Sequence, residues 1–193
     1  MFIAISGPSG SGKTTLINKY QELHPEVKLI DRKSARSILA DMNMTLEDVY
    51  KSVVEQKHFQ MAILKRKYTD EQIAIDSSHI YLVDRSYADL FAYVVAYMGR
   101  HNNLSGWVNI YYDRCRSYQS SYDGVIYIDG GKFKIEDDGV RPTNAHYAKM
   151  IGDFTNASAM QMGVTVSKIT ESGLDERVES MDKIINSIRG NKT

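Results

Sequence analysis

One cysteine, one tryptophan, three prolines and no surplus of either charge stand out first among these 193 residues. The lone Cys115 excludes an internal disulfide and suits a reducing compartment, so it reads as a helix residue rather than a catalytic thiol. The 24 basic and 24 acidic side chains cancel, which argues against coating nucleic acid through a broad basic face and leaves only a local basic groove. No apolar run approaches the roughly 20 residues that a membrane span needs. The first residues read as a strand entering a glycine-rich loop rather than as a signal peptide, so a cytoplasmic protein without membrane contact is expected. His58, His79, His101 and His146 show no metal-ligand spacing, and no zinc site is assigned. With 42% hydrophobic and 25% charged residues, the composition is that of an ordered globular chain. Neither a repeat nor a low-complexity linker divides it, and residues 1–193 are expected to form one domain with its own core.

What the chain does have is GPSGSGKTT at 7–15, directly after the apolar run FIAIS. Gly7, Gly12, Lys13 and Thr14 satisfy G-x-x-x-x-G-K-[ST], with Phe2–Ser6 as the preceding strand. Gly7, Gly10 and Gly12 permit a turn tight enough for backbone N–H groups, including those of Ser9 and Ser11, to converge on phosphate oxygens. A helix starting near Lys13 adds its positive dipole end. Lys13 reaches the β- and γ-phosphates, the Thr14 hydroxyl ligates the magnesium that bridges them, and Thr15 follows on the helix surface. ATP or GTP with Mg²⁺ is the expected ligand.

Further apolar runs predict strands at Val27–Ile30, Ile80–Val83, Val125–Ile128 and Val164–Ile169, each suited to burial on both faces. Helical patterns separate them. One follows the phosphate loop to about Leu23, where Pro25 ends it, and a short one covers Ser34–Asp41. Thr45-Leu-Glu-Asp48 reads as a capping box opening one long helix to about Tyr68, and Ser86-Tyr-Ala-Asp89 repeats the device for a helix ending at Gly99. Helices are also predicted over Ser105–Tyr118 and Thr143–Met162, with Ser172-Gly-Leu-Asp175 capping the last. Alternating strands and helices mean an α/β fold with a parallel sheet covered on both faces, whose ligands bind beyond the carboxyl ends of the strands.

The charges fall at those ends. Asp84-Arg85-Ser86 closes the third strand, where Asp84 can hold Mg²⁺ or accept a proton and Arg85 can grip phosphate or an acceptor oxygen. Asp31, after the second strand, competes with Asp84 for the role of base. Arg36 and Tyr87 are candidate acceptor contacts; Tyr87, Phe91, Trp107 and Tyr111 could each stack on a base, though each taken singly reads as core before it reads as a base contact. After the fourth strand, GGKFKIEDDGVRPTN reads as a lid over about 130–142, with Arg141 placed to meet the charge on a transferred phosphoryl group and Asp137 and Asp138 to orient it. Arg114 and Arg116 are weaker candidates for that role.

Taken together, these segments resemble a P-loop kinase of the nicotinamide-riboside-kinase-like group, small kinase domains classed among AAA-like ATPases. The resemblance rests on GPSGSGKTT, IDRKSARSIL at 30–39, YLVDRSYADLFAY at 81–93, EDDGVRPTN at 136–144 and VTVSKITESGLDERV at 164–178. It implies a three-layer P-loop NTPase fold, with a five-stranded parallel sheet ordered 2-3-1-4-5 and a lid after the fourth strand. Asp84-Arg85-Ser86 is also similar to the motif of deoxynucleoside kinases, in which the arginine helps to hold the acceptor and the aspartate lies near magnesium. That family places a glutamate after the second strand as base, where this chain has Asp31 or Arg32. Related small kinases of bacterial viruses act on nucleotides or on hydroxymethylated bases in DNA.

The resemblance implies ATP- and Mg²⁺-dependent phosphotransfer to a nucleoside- or nucleotide-type acceptor, with a modified DNA base as the second acceptor class. The rival of a different class is a nucleotide-dependent binding or regulatory ATPase with little kinase activity. A switch GTPase would carry an N-K-x-D segment, which this sequence lacks, and a remodelling ATPase would need an accessory domain.

Overall fold

The structure, a computed structural model, describes residues 1–30, 35–74, 79–100, 106–130, 133 and 144–191. Five parallel strands, β1 (Phe2–Ser6), β2 (Val27–Leu29), β3 (Ile80–Asp84), β4 (Gly124–Ile128) and β5 (Val166–Ile169), form one sheet in the order β2-β3-β1-β4-β5. The helices are α1 (Lys13–Leu23), α2 (Ala35–Asp41), α3 (Leu46–Tyr50), α4 (Val53–Ala74), α5 (Tyr87–Arg100), α6 (Gly106–Gln119), α7 (Ala145–Gln161) and α8 (Leu174–Gly190).

The two-residue period of the strands divides the core. Phe2, Ala4, Tyr81, Val83 and Val125 face a cluster built with α2 to α7, whereas Ile3, Ile5, Leu82, Ile126, Ile128 and Ile169 face α1 and α8. The apolar stripe of α8, Val178, Met181, Ile185 and Ile188, meets Leu16, Ile17 and Tyr20 of α1 on that second face. The central strands β3, β1 and β4 are apolar because helices cover both sides, whereas the edge strands β2 and β5, expected to be buried on both faces, leave Lys28, Leu29 and Lys168 exposed. No helix among the described residues is long and apolar enough to cross a membrane.

Most bounds shift by a residue or two from the sequence reading, the helix expected to end near Tyr68 runs on to Ala74, and three elements start differently. The long helix expected from Thr45 is two. The capping box of Thr45 and Asp48 opens α3, which ends at Tyr50, and the Ser52 hydroxyl accepts the Glu55 N–H at 3.1 Å to start α4. Ser52-Val-Val-Glu55 has the same cap spacing as Thr45-Leu-Glu-Asp48, a signal hidden inside an otherwise helical pattern. Strand β5 begins at Val166, two residues later than expected. At α8 the cap is Gly173, whose N–H donates to Glu176 at 3.3 Å, in place of Ser172 with Asp175.

In-register pairing brings the functional ends together. Ile5 of β1 lies opposite Asp84 of β3, and Ser6 opposite Tyr127 of β4. The loop after β1 is thereby flanked by the two segments that the charges mark.

Candidate functional site: a phosphate cradle joined to a strained arginine

The loop from Gly7 to Gly12 turns through three left-handed glycines, Gly7 at φ 138°, Gly10 at 73° and Gly12 at 77°, and Gly12 then caps α1. Two of these glycines are also fixed by crowding. A Cβ on Gly7 would stand 2.4 Å from the Ile128 carbonyl oxygen, and one on Gly12 would stand 2.8 Å from Arg177 Nη1. Gly7→Ala is expected to cost about 1–3 kcal/mol through forced backbone displacement, read as a lowered denaturant midpoint with unchanged slope.

Lys13 folds back across the mouth of the loop. Its ammonium donates to the carbonyls of Gly7 at 2.7 Å and Pro8 at 2.8 Å and to the Ser11 hydroxyl at 3.2 Å, and the side chain is buried. Ser9 and Ser11 are buried in the loop, while Thr14 and Thr15 are exposed on the first turn of α1. The arrangement presents an ammonium and a helix N-terminus to one point, which is the electrostatics an oligophosphate requires.

Beside it, Arg85 takes a conformation that a non-glycine residue rarely adopts, with φ at 72°. Such strain persists only where surroundings enforce it. Here the Arg85 N–H donates to the Ile5 carbonyl at 2.7 Å, and its carbonyl accepts from Lys67 at 2.8 Å. The guanidinium lies 5.4 Å from the Tyr93 ring centroid and 3.6 Å from an Asp89 oxygen. Burial opposes its charge, but Tyr93, Asp89 and Asp84 outweigh that and hold its pKa above the ordinary arginine range.

Asp89 is the joint between the two parts. Fully buried on α5, it accepts from the Ser6 hydroxyl at 2.5 Å, from Ser86 N–H at 2.8 Å and hydroxyl at 2.9 Å, and from the Gly7 N–H at 3.3 Å. The residue first read only as half of a helix cap therefore ties the start of the phosphate loop to Arg85. Its spacing from Ser86 was legible; its reach to Ser6 and Gly7, more than eighty residues away in sequence, was not.

Behind Arg85 lies a network that sequence reading missed. Lys67 and Glu71 of α4 form a fully buried ion pair at 2.5 Å, and Glu71 also accepts the hydroxyls of Tyr87 at 2.5 Å and Tyr122 at 2.9 Å. Tyr87, expected to contact an acceptor, is instead turned inward with no exposed surface, and burial, then Glu71, pushes its hydroxyl pKa well up. The reason is local: the first turn of α5 points residue 87 at α4. Tyr111 and Cys115 are likewise core on α6, and burial keeps the Cys115 thiol neutral.

Arg36 is exposed on α2, and Arg114 and Arg116 are exposed on α6. Asp31 and Arg141, together with Asp137 and Asp138, lie outside the described residues. A cavity of about 440 Å³ opens beside Pro8 at the end of β4, bordered by Asp129, Gly130, His146 and Asp153.

A magnesium ion fits this donor set. Among the described residues no cluster of three or more His, Cys, Asp or Glu side chains could hold a metal by itself. Mg²⁺ in phosphate sites takes only one or two protein oxygens, the phosphates and water supplying the rest. The partly buried Asp84, at the carboxyl end of β3 and opposite Ile5, and the exposed Thr14 hydroxyl are hard oxygen donors of that kind.

The glycine-rich turn between β1 and α1 and the strand order define a P-loop NTPase fold. The same architecture occurs in deoxyadenosine kinase from M. mycoides. The form with bound dATP aligns with a TM-score of 0.71 and 16% identity over 96% of this chain and 100% of that one. The form with the products dCMP and a flexible dCDP aligns with a TM-score of 0.69 and 15% identity over 97% and 100%. At such identities the likeness is one of fold. Residues 2–177 match the AAA domain family, and the chain belongs to it. No curated protein matches the sequence.

Proposed function

We propose that the protein is an ATP- and Mg²⁺-dependent phosphotransferase that moves the γ-phosphoryl group to a hydroxyl or phosphate of a nucleoside- or nucleotide-type acceptor. The observation that carries this reading is Arg85, held in a strained conformation at the end of β3 and joined to the phosphate cradle through Asp89. A loop that only bound nucleotide would not need a second, locked cation at that point. The fold shared with deoxyadenosine kinase supports the same reaction class.

In this scheme Lys13 and the loop amides hold the phosphates, and Thr14 and Asp84 would hold Mg²⁺, which would supply neutralising charge to the phosphates. The acceptor oxygen attacks the γ-phosphorus, the bond to the β-bridging oxygen breaks, and ADP leaves with that electron pair. The acceptor proton passes to Asp31 or Asp84, and Arg85 and Arg141 offset the charge of the transferred group. Arg36 remains a proposed acceptor contact from α2. Residues 1–193 are read as a single kinase domain with the lid at about 130–142. Arg141→Ala should lower kcat about 10- to 100-fold with little change in KM for ATP, since the residue acts on charge that develops in transfer. A change confined to KM would make it a binding residue.

The test is transfer of γ-labelled phosphate from ATP to nucleosides, nucleoside monophosphates, nicotinamide riboside, and DNA with normal or hydroxymethylated bases. We rank the small acceptors first, because the chain's 24 basic and 24 acidic side chains balance, which argues against a broad basic face for a polynucleotide. Labelled nucleotide supports the proposal, and labelled DNA replaces the acceptor class. ATP binding without label in any acceptor sinks it in favour of a nucleotide-dependent binding module.

A further inference from the structure

Arg177 stands on the first turn of α8, yet its guanidinium is packed against the shoulder of the phosphate loop. Its Nη2 donates to the Ser11 carbonyl at 2.7 Å, and Nη1 lies 2.8 Å from the point where a Cβ on Gly12 would stand. The Phe133 ring covers it, with the centroid 5.6 Å from the guanidinium carbon. The residue is 2% exposed, and its Nε has no hydrogen-bond partner. Among the described residues no carboxylate stands within ion-pairing distance of it. Burial pushes its pKa down, with Glu171 opposing.

An arginine does not shed its proton in a protein. A buried guanidinium held by one neutral carbonyl and one aromatic ring is therefore a standing cost to the fold. The geometry suggests what offsets it. The Ser11 carbonyl and the Gly12 N–H belong to one peptide unit, and no peptide in the described chain is cis, so the two groups point in opposite directions. A cation donating to the carbonyl from behind polarises that unit and strengthens its N–H as a donor on the far side. In a phosphate loop the far side is the cradle.

We propose that Arg177 is a positioning residue of the cradle: it holds the Ser11–Gly12 peptide from behind, and its charge is matched to the phosphate chain of a bound nucleoside di- or triphosphate. The inference rests on the reading of the loop as a nucleotide site, but not on phosphoryl transfer, so it is tested by binding.

Calorimetric titration with MgATP and with inorganic tripolyphosphate, together with ligand-free melting, would be run on the unaltered chain, Arg177→Met and Arg177→Lys. Arg177→Met should lose about tenfold or more in affinity for both ligands, the size expected for one lost charge-assisted contact. Its ligand-free melting midpoint should stay level or rise, because the uncompensated charge is gone. Arg177→Lys, which keeps the charge but not the planar fork, should fall between the two. A merely structural arginine would lower the melting midpoint and leave affinity intact. The inference is overturned if Arg177→Met binds both ligands as the unaltered chain does, or if its losses track a lower ligand-free midpoint. It is also overturned if ATP loses affinity while tripolyphosphate does not, which would move the guanidinium to the base. Failure of the unaltered chain to bind either ligand would defeat the cradle reading itself, and this inference with it.

Discussion

Phosphoryl transfer by Lys13→Ala is expected to fall by about 10²- to 10³-fold, the scale of a lost preorganised donor to developing charge, with ATP affinity reduced as well. The reason lies in where the ammonium is held. Lys13 is on the first turn of α1, but its side chain runs back to the Gly7 and Pro8 carbonyls, so the fold itself holds its charge at the loop. Alanine removes that charge and leaves the two carbonyls to find other donors, a folding cost of about 1–3 kcal/mol that a melting curve would register separately. Lys13→Arg should not restore transfer, since a planar fork cannot occupy a position built for a point charge. Initial rates of γ-phosphate transfer and calorimetric titration with ATP decide the matter. Unchanged turnover in Lys13→Ala would refute the mechanism proposed above.

Lys67→Met is expected to be the most destabilising single change. It strands the Glu71 carboxylate where neither partner of the pair has more than 1% of its side chain exposed. Two tyrosine hydroxyls remain to it, but no cation among its named contacts. Removing one member of a buried pair costs about 3–5 kcal/mol. In a domain of this size that corresponds to a fall in melting temperature of roughly 6–20 °C. The double change Lys67→Met with Glu71→Leu should recover most of the loss, because it is the uncompensated charge and not the absence of the pair that costs. Catalysis should not recover with it, since Lys67 also holds the Arg85 carbonyl. Thermal unfolding of the three variants tests the first claim, and transfer rates of the refolded double variant test the second. A double variant as unstable as the single would show that the ion pair itself is the source of stability.

The central strands are readable in the sequence because β1, β3 and β4 are nearly unbroken apolar runs, and the expected bounds Phe2–Ser6 are those of β1; the edge strands β2 and β5 each carry a lysine, Lys28 and Lys168. The cradle is readable because glycine, lysine and threonine at fixed offsets have few other uses. The strand order came from resemblance, since nothing in Val125–Ile128 says that it lies beside β1 rather than β3. The supporting residues were illegible for a related reason. Helix α4 buries Gln56, Gln60, Lys67 and Glu71 along one face, so its buried stripe continues where the apolar pattern stops. Periodicity of hydrophobicity cannot follow a core that turns polar. Arg177 sits among Asp175, Glu176 and Glu179 on α8 and reads as one more charge on a solvated helix. Only the third dimension sets it against Ser11.

Pro8 fills a slot made by two glycines. A Cβ on Gly130, at the end of β4, would stand 2.2 Å from its ring, and a Cβ on Gly152, in α7, would stand 2.9 Å from it. Positions 8, 130 and 152 are thus one unit of volume shared by three distant stretches of chain. In any diverging lineage of this protein positions 8 and 130 should change together, since a smaller residue at 8 frees 130 to carry a side chain; position 152 needs Tyr127 to change as well, because its hydroxyl stands 2.8 Å from where that Cβ would be.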